Sequence, residues 1–150
     1  MTAAEILQPA HVLTALTAAN LPAAVDEILA AMRGDSRVAD WDALRAAVAA
    51  HEAPAIDAGE CSICIAHGRT NAVTSLAMGA GISAEGYGDG AKKIRLVFVA
   101  GIPAAFNNEY LRAVGSIARL CGEPAFLEKL LSSKTPSDFI ALLEAGGAKL

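Results

Sequence analysis

The chain has 150 residues, of which 54% are hydrophobic and 19% are charged. This length and composition are typical of one globular domain, here residues 1–150, and exclude a disordered chain. The formal net charge is -4 and the only short basic cluster spans residues 92–95, so no nucleic-acid partner is expected.

The amino terminus shows no targeting pattern. Residues 1–5 include Glu5 and no basic residue, so neither a secretory signal nor a transit peptide is recognisable. The charge-free stretch 96–106 is too short to span a bilayer. We therefore expect a cytoplasmic protein with no direct membrane insertion.

The first third of the chain predicts one strand and two helices. Pro9 stops any early helix, and residues 12–16 have the leucine and β-branched content of a strand. Asn20 is typical of a helix cap, and apolar side chains then recur at helical spacing until Gly34. Asp40 predicts the cap of a second helix.

The middle of the chain predicts a loop and three strands. Residues 53–60 have no apolar period and contain proline and glycine, which is typical of a loop. Strands are predicted at 61–67, 72–78 and 94–100 from their apolar and β-branched side chains. The connector between the last two strands contains turn glycines, namely Gly79, Gly81, Gly86, Gly88 and Gly90.

Three further helices are predicted in the last third of the chain. The first is predicted to begin after a cap at Asn107 or Asn108 and to stop at Gly122. The second is predicted to start at Pro124. The third is predicted to begin after a cap at Thr135 and to stop at Gly146-Gly147. Together these elements predict a single-domain α/β fold, in which helices flank both faces of a mixed β-sheet.

The most informative local pattern surrounds His67. The low-polarity run 62–66 predicts a buried strand that ends at this histidine, where functional side chains concentrate. A neutral imidazole there can attack phosphorus, with Gly68 admitting a ligand, Arg69 neutralising phosphate charge and Thr70 donating a hydrogen bond. The local pattern equally allows a structural histidine, a solvated arginine and a turn threonine.

The other potential metal ligands give a weaker pattern. Cys61, Cys64 and His67 mimic a metal-binding spacing, but side chains alternate along a strand, so Cys64 faces away from the other two. Free cysteines in such surroundings are commonly buried hydrophobic residues. His11 and His51 stand alone in the sequence, which favours a loop position or a polar helix end for each.

Residues 63–73 resemble the phosphorylation motif of a known family. An apolar strand, a histidine, a small residue, a basic residue, threonine and Ala-Val occur in the same order in the EIIA domain of the fructose, mannitol and nitrogen-regulatory class of the bacterial phosphoenolpyruvate-dependent phosphotransferase system. Residues 93–100 are similar to the family's core strand and 110–120 to the helix after it. The resemblance extends through 126–139 and so covers nearly the whole chain.

The resemblance implies specific roles for five residues. His67 matches the phosphorylated histidine, with Arg69 and Thr70 as its helpers. Tyr110 stands where the family usually has a second histidine, and His51 stands where it usually has the arginine of an arginine–glutamate pair. Each of these two residues either supports the phosphate site or is an ordinary surface residue.

Two other positions and one loop depart from the family pattern. Ala66 stands where proline is usual, and Asn71 replaces an aspartate. The family's threonine-glycine-isoleucine-glycine loop is replaced by residues 57–60, which include Asp57 and Glu60. These carboxylates would oppose a phosphoryl group if they lay near it.

The implied function is that of a phosphocarrier acting as a phosphotransferase. By the resemblance, His67 accepts a phosphoryl group from a phosphorylated HPr-type carrier protein and passes it to an EIIB-type acceptor or a regulatory target protein. No cofactor and no metal ion are implied. The alternative is a regulatory binding module that keeps the fold with reduced or lost phosphoryl transfer.

Overall fold

The computed structural model describes residues 1–146. Among these residues no helix is both long enough and apolar enough to cross a membrane. The elements in chain order are α1 (Ala3–Ile6), β1 (Leu7–Leu13), α2 (Leu21–Ala31), α3 (Trp41–Ala49), β2 (Ala55–Asp57), β3 (Ser62–Arg69), β4 (Ala77–Tyr87), β5 (Ile94–Ile102), a 3₁₀ turn (Ala104–Phe106), α4 (Asn107–Cys121), α5 (Pro124–Leu131) and α6 (Pro136–Ala145).

The strands form one mixed sheet in the order β1-β4-β5-β3-β2. β1 is parallel to β4 and β3 is parallel to β5, whereas β4–β5 and β2–β3 are antiparallel. Because β3 and β5 are parallel, their carboxyl ends lie at the same end of the sheet, where Arg69 lies opposite Ile102. The residues after β3 and the start of α4 therefore lie close together.

Helices cover both faces of this sheet. Along β5, Phe98 and Ala100 pack with residues of α4, α5 and α6, whereas Val97 and Val99 pack with residues of α2 and α3. This division follows from the alternation of side chains along a strand. The predicted α/β class, with a mixed sheet flanked by helices on both faces, is confirmed.

Most predicted helix starts are confirmed. Asn20, Asp40 and Thr135 each accept a hydrogen bond from the backbone N–H three residues later, at 2.9, 3.0 and 3.1 Å. These side chains satisfy backbone N–H groups that have no partner within the helix. α5 begins at Pro124, as predicted.

The predicted helix ends agree within a few residues. α4 ends at Cys121 and Gly122 follows it. α2 ends at Ala31, three residues before the predicted Gly34. α6 ends at Ala145 with Gly146 after it, and the predicted stop at Gly147 lies outside the described residues.

The first strand begins earlier than predicted. The prediction was residues 12–16, but β1 spans Leu7–Leu13 and contains Pro9. β1 is an edge strand that pairs only with β4, and its register shifts between Leu7 and Val12. A proline is tolerated there because its missing N–H removes no bond that the sheet needs.

The second core strand lies later than predicted. The prediction of a strand at 72–78 is wrong, since β4 spans Ala77–Tyr87 and runs through much of the predicted glycine connector. A Cβ on Gly79 or Gly81 would lie 2.6 Å from a neighbouring apolar side chain. These glycines therefore serve close packing within a strand, whereas Gly86, with φ of 79°, has the backbone of a turn residue.

The predicted loop at 53–60 contains a short strand. β2, Ala55–Asp57, pairs antiparallel with β3 and forms the second edge of the sheet. A strand this short carries no readable alternation of side chains, so periodicity does not detect it. It gives β3 a hydrogen-bonded neighbour on each side.

A buried charged cluster ties the first strand to the loop after α2. His11, predicted in a loop or at a helix end, lies within β1 and is 4% exposed. Its Nδ1 lies 3.4 Å from Oδ2 of Asp35, whose side chain is fully buried and pairs with Arg37 at 2.6 Å. Arg37 also donates to the backbone carbonyls of Glu5, Ile6 and Leu76 at 2.9, 3.0 and 3.1 Å.

Candidate functional site

His67 lies near the carboxyl end of β3, and its side chain is half-buried. Its Nδ1 is 3.2 Å from the backbone oxygen of Ile65. Because a carbonyl oxygen only accepts, Nδ1 must donate this hydrogen bond. The neutral ring therefore keeps its lone pair on Nε2, which is the nitrogen able to act as a nucleophile.

The structure brings Tyr110 against this imidazole. Tyr110 lies in the first turn of α4 and is 5% exposed, and the two ring centroids are 5.4 Å apart with a 38° tilt. Burial raises the pKa of the Tyr110 hydroxyl, and the charge of Arg69 opposes this effect only in part. The hydroxyl is therefore protonated at neutral pH and can donate a hydrogen bond.

Arg69 is the third residue of the cluster. It lies two positions after His67 on β3, and alternate residues of a strand share a face. Its side chain is exposed, and Cζ lies 5.8 Å from the centroid of the Tyr110 ring. This distance is within the reach of a cation–π interaction, so the guanidinium charge is held beside the tyrosine ring that packs against His67.

Asn107 belongs to the site, although sequence reasoning missed this role. Its Oδ1 accepts hydrogen bonds from Nε and Nη2 of Arg69 at 3.1 and 3.0 Å. The prediction of Asn107 or Asn108 as a helix cap is wrong, because the 3₁₀ turn leads straight into α4, with Phe106 before the first helical residue and no side-chain cap. The available signal was the three-residue spacing to Tyr110, which places both residues on one face of the helix.

Thr70 follows β3 in the turn beside this cluster. Its Oγ1 accepts a hydrogen bond from the backbone N–H of Ala72 at 3.1 Å, and its own N–H donates to the oxygen of Ile102 at 2.9 Å. These bonds hold the turn at the end of the strand. The hydroxyl still has a hydrogen to donate, so its predicted bond to a phosphoryl oxygen stays a prediction.

His51 lies apart from the other predicted site residues. It is exposed after α3 and lines a groove of about 510 Å³ together with Cys64 and Ala66. Ala66 packs in the α2–α3 core, on the opposite face of the sheet from Tyr110. Within residues 1–146 no hydrogen bond, ion pair or ring contact joins His51 to His67, so a supporting role stays a prediction.

Gly68 serves packing rather than ligand access. A Cβ at this position would lie 2.7 Å from the backbone C of Ala47 and the backbone N of Val48. The backbone of α3 therefore occupies the space that the sequence pattern assigned to a ligand. The contact fixes the end of β3 against α3 and so positions the neighbouring histidine.

The carboxylates at 57 and 60 do not oppose a charge at His67. Asp57 is paired with Lys92 at 2.7 Å, and Glu60 lines a cleft with Arg95 at the other end of β3. Glu60 and His67 are seven positions apart, which at the rise of a strand corresponds to roughly 20 Å. At that distance screening by salt removes most of their effect.

The cysteines lie in the hydrophobic interior. Cys61 and Cys121 pack in the core beneath α4–α6, and Cys64 faces the groove on the other side of the sheet. Burial raises the pKa of the thiol to about 11 for Cys64 and to about 12 for Cys121. In the part of the chain that the structure describes, no three His, Cys, Asp or Glu side chains are grouped so that they could hold a metal ion.

Taken together, these groups have the chemistry of a candidate anion site. The neutral imidazole carries a nucleophilic lone pair on Nε2, the ring of Tyr110 packs against that imidazole, and the guanidinium of Arg69 lies 5.8 Å from the same tyrosine ring. Donors and a positive charge in such positions stabilise the oxygens of a group under transfer. A phosphoryl group has the charge and the electrophilic phosphorus that this arrangement suits.

A family model matches almost the entire described chain. Residues 5–146 match the family described as "Phosphoenolpyruvate-dependent sugar phosphotransferase system, EIIA 2". No individually curated protein matches the chain significantly.

Solved structures share the fold at low sequence identity. The nitrogen regulatory protein IIA-Ntr from Neisseria meningitidis is 18% identical with a TM-score of 0.74, over 93% of this chain and 97% of that one. The putative PTS IIA (PtxA) from Streptococcus mutans is 16% identical with a TM-score of 0.70, over 99% and 97%. The mannitol-specific cryptic phosphotransferase enzyme IIA CmtB from Escherichia coli is 13% identical with a TM-score of 0.66, over 97% and 99%.

Proposed function

This chain belongs to the EIIA type 2 family of the phosphoenolpyruvate-dependent sugar phosphotransferase system, and we propose that it carries a phosphoryl group on His67. The donor is a phosphorylated HPr-type protein, and the recipient is an EIIB-type acceptor or a regulatory target protein. The observation that supports this proposal most directly is the bond from Nδ1 of His67 to the Ile65 carbonyl, which leaves Nε2 as the nucleophile.

The proposed transfer has two displacement steps. First, the Nε2 lone pair attacks the phosphorus of the donor's phosphohistidine, the Nε2–P bond forms, and the donor's N–P bond breaks with its electron pair returning to the donor nitrogen. Second, a nucleophile of the acceptor attacks the same phosphorus and the Nε2–P bond breaks in turn. The hydrogen on Nδ1 stays in its bond to Ile65 throughout.

The neighbouring residues take supporting roles in this proposal. Arg69 supplies positive charge to the phosphoryl oxygens, and Tyr110 supplies a neutral hydrogen-bond donor. Thr70 holds the turn after β3 and offers its hydroxyl hydrogen. In phosphoryl transfer such positioning and charge stabilisation account for most of the catalysis.

The surface beside the site suits a protein partner. Leu111, next to Tyr110, is 56% exposed and is the only large hydrophobic side chain with this exposure among the described residues. An exposed apolar side chain is typical of the centre of a protein interface, whose rim is polar. We place this exchange with carrier proteins in the cytoplasm, where the family's phosphoryl relay operates.

The proposal is tested by labelling with phosphate. The protein is incubated with labelled phosphoenolpyruvate, Enzyme I and HPr, and acid-labile protein phosphate is measured. We expect label on the wild type and none on His67→Gln, because the variant lacks the nucleophilic nitrogen. An unlabelled wild type, or a labelled His67→Gln variant, would contradict the proposal.

The same assay examines His51. His51→Gln removes an exposed histidine on the opposite side of the sheet and is matched in chemistry to His67→Gln. We expect this variant to keep its acid-labile label. A reduced rate of labelling would support the auxiliary role that the resemblance implies for His51.

A regulatory binding module is the second candidate. Tyr110 stands where the family usually has a second histidine, and a tyrosine does not exchange protons at neutral pH as histidine does. In this case complex formation, rather than turnover, is the output. Pull-down with and without the phosphorylating system separates the two functions, because only the carrier changes its partners or affinity on phosphorylation.

A further inference from the structure

We infer that Asn107 is a positioning residue for phosphoryl transfer. It acts by holding Arg69 in place near His67, and this inference rests on the proposed function. Its Oδ1 accepts hydrogen bonds from both Nε and Nη2 of the guanidinium, at 3.1 and 3.0 Å. Asn107 is half-buried in the first turn of α4, so the acceptor itself is fixed by the helix.

Arg69 needs such an acceptor because its side chain is exposed. A long, solvated side chain samples many rotamers, and fixing it costs conformational entropy at each use. Here Asn107 binds one edge of the guanidinium and the ring of Tyr110 lies 5.8 Å from Cζ. The Nη1 group and the remaining Nη2 hydrogen are left for the oxygens of a phosphoryl group on His67.

An amide suits this role better than a carboxylate. The asparagine oxygen accepts hydrogen bonds without carrying a full charge, so the guanidinium keeps its positive charge for the phosphoryl group. A carboxylate at the same position would bind Arg69 more strongly, but it would neutralise that charge and repel the phosphoryl oxygens. An asparagine therefore holds the arginine without neutralising its charge.

The role concerns the charge that gathers on the phosphoryl oxygens during transfer. As the bond from Nε2 to phosphorus forms, the donor's N–P bond breaks, and the equatorial oxygens carry negative charge throughout. Arg69 contacts these oxygens, and Asn107 acts only through Arg69. Removing Asn107 is thus expected to have no effect where Arg69 is already absent.

The test compares two neighbouring asparagines. Asn107→Ala removes the acceptor, whereas Asn108→Ala changes an exposed asparagine with no side-chain hydrogen bond among residues 1–146. We expect the rate of labelling from phosphorylated HPr to fall about tenfold in Asn107→Ala, and to stay at the wild-type rate in Asn108→Ala. An unchanged rate in Asn107→Ala overturns the inference.

Two further variants distinguish positioning from a structural role. In Asn107→Asp we expect the Nε–H of Arg69 to remain protected from hydrogen exchange by NMR while labelling is slowed at least as much as in Asn107→Ala. In an Arg69→Ala background we expect Asn107→Ala to cause no further loss. Wild-type labelling rates in Asn107→Asp, or additive losses in the double variant, overturn the inference.

The outcome for the wild type separates this inference from the proposed function. If the wild type takes no acid-labile phosphate, both are overturned together. If the wild type is labelled but the Asn107 variants keep the wild-type labelling rate, or the losses in the double variant are additive, only the role of Asn107 is overturned. Folding of each variant is checked by its urea unfolding midpoint.

Discussion

The hydroxyl of Tyr110 is a proposed hydrogen-bond donor to the phosphoryl group, and the burial of this side chain raises its pKa. Tyr110→Phe keeps the ring against His67 and removes only the hydroxyl. We expect labelling of His67 to slow about tenfold, because one hydrogen bond to a charged group is lost. Rates of phosphoryl transfer from HPr measure the effect.

Tyr87 is the matched control for this change. Its hydroxyl donates to the backbone oxygen of Ala18 at 3.0 Å, outside the His67–Tyr110 cluster. Tyr87→Phe is expected to lower the free energy of unfolding by about 1 kcal/mol and to leave labelling unchanged. Equal slowing in both variants would show that the Tyr110 hydroxyl has no specific role.

His11 is expected to make stability depend on pH. Burial lowers the pKa of its imidazole, with Asp35 raising and Arg37 further lowering it. The unfolded chain therefore takes up a proton first as pH falls through 6.5, and the free energy of unfolding decreases by at most about 1.4 kcal/mol per pH unit. Urea denaturation between pH 7.5 and about pH 5.5 measures this slope.

Asp35 does not confound that measurement. Burial raises the pKa of its carboxyl, but the hydrogen bonds and charge of Arg37 outweigh burial and leave the pKa below its usual value of 3.8. Its contribution to stability is thus lost only in more acidic solution. His11→Gln is expected to flatten the slope, and an unchanged slope in this variant would assign the pH dependence to another group.

The sequence pattern predicts part of the site and misses the contact between its elements. His67, Arg69 and Tyr110 follow from motif order, and the structure brings them together. The bond from Arg69 to Asn107 joins positions separated by 38 residues in the chain. No local spacing encodes such a contact, because it depends on how the carboxyl end of β3 meets the start of α4.

At the level of elements, two glycines should respond oppositely to the same substitution. Gly68→Ala is expected to lower the free energy of unfolding by about 2 to 3 kcal/mol, because the new Cβ meets the backbone of α3. Gly115 is an exposed residue of α4, and apart from its chain neighbours and the adjacent backbone of its own helix no atom lies within 4 Å of the Cβ position. Gly115→Ala is expected to raise the free energy of unfolding by about 1 kcal/mol.

Urea denaturation of both variants checks the pair. The Gly115→Ala variant also controls for the general effect of removing a glycine from the unfolded chain. Similar stabilities for the two variants would show that α3 moves aside for a side chain at 68. In that case the end of β3 would be less firmly held than the close contact indicates.

Helix positions were more predictable than strand positions, for a physical reason. Helix caps act within three residues, so Asn20, Asp40 and Thr135 mark their helices locally. The placement of β4 depends on α2 and on the chain after β1, which approach Gly79 and Gly81 too closely for any side chain. Read locally, the same glycines are typical of turns.

For the whole molecule, two hydrophobic cores share a single sheet, so we expect them to unfold together. Cys121 lies in the core beneath α4–α6, and Cys64 lies on the α2–α3 side. Both thiols are fully buried and their pKa values are raised to about 12 and about 11, so the native protein should resist a thiol-reactive disulfide reagent. In intermediate urea both should react at the rate of global unfolding.

Variants with one remaining cysteine make this measurement specific. Replacing Cys61 and Cys121 with alanine leaves Cys64, and replacing Cys61 and Cys64 leaves Cys121. We expect the labelling rate of each to follow the global stability of its own variant. Labelling of Cys64 well below the unfolding transition, with Cys121 still protected, would show that the α2–α3 side opens by itself.

The fold class was predictable, but the order of the strands was not. Helical periodicity on both sides of an apolar central region indicates an α/β fold. The pairing of β1 with β4 joins Leu7 to Met78, and β3 pairs with β5 although β4 lies between them in the chain. Such pairings are set by burial of the whole sheet, which no single stretch of sequence expresses.

The bond from Nδ1 of His67 to the Ile65 carbonyl joins two residues of the same strand. Phosphorylation at Nε2 leaves this bond in place, so the loaded and unloaded forms of the proposed carrier share one backbone. We therefore expect a partner to tell them apart by the phosphoryl group and its negative charge, and not by a change of backbone. We expect discrimination between the two forms to weaken as ionic strength rises, because salt screens an exposed charge.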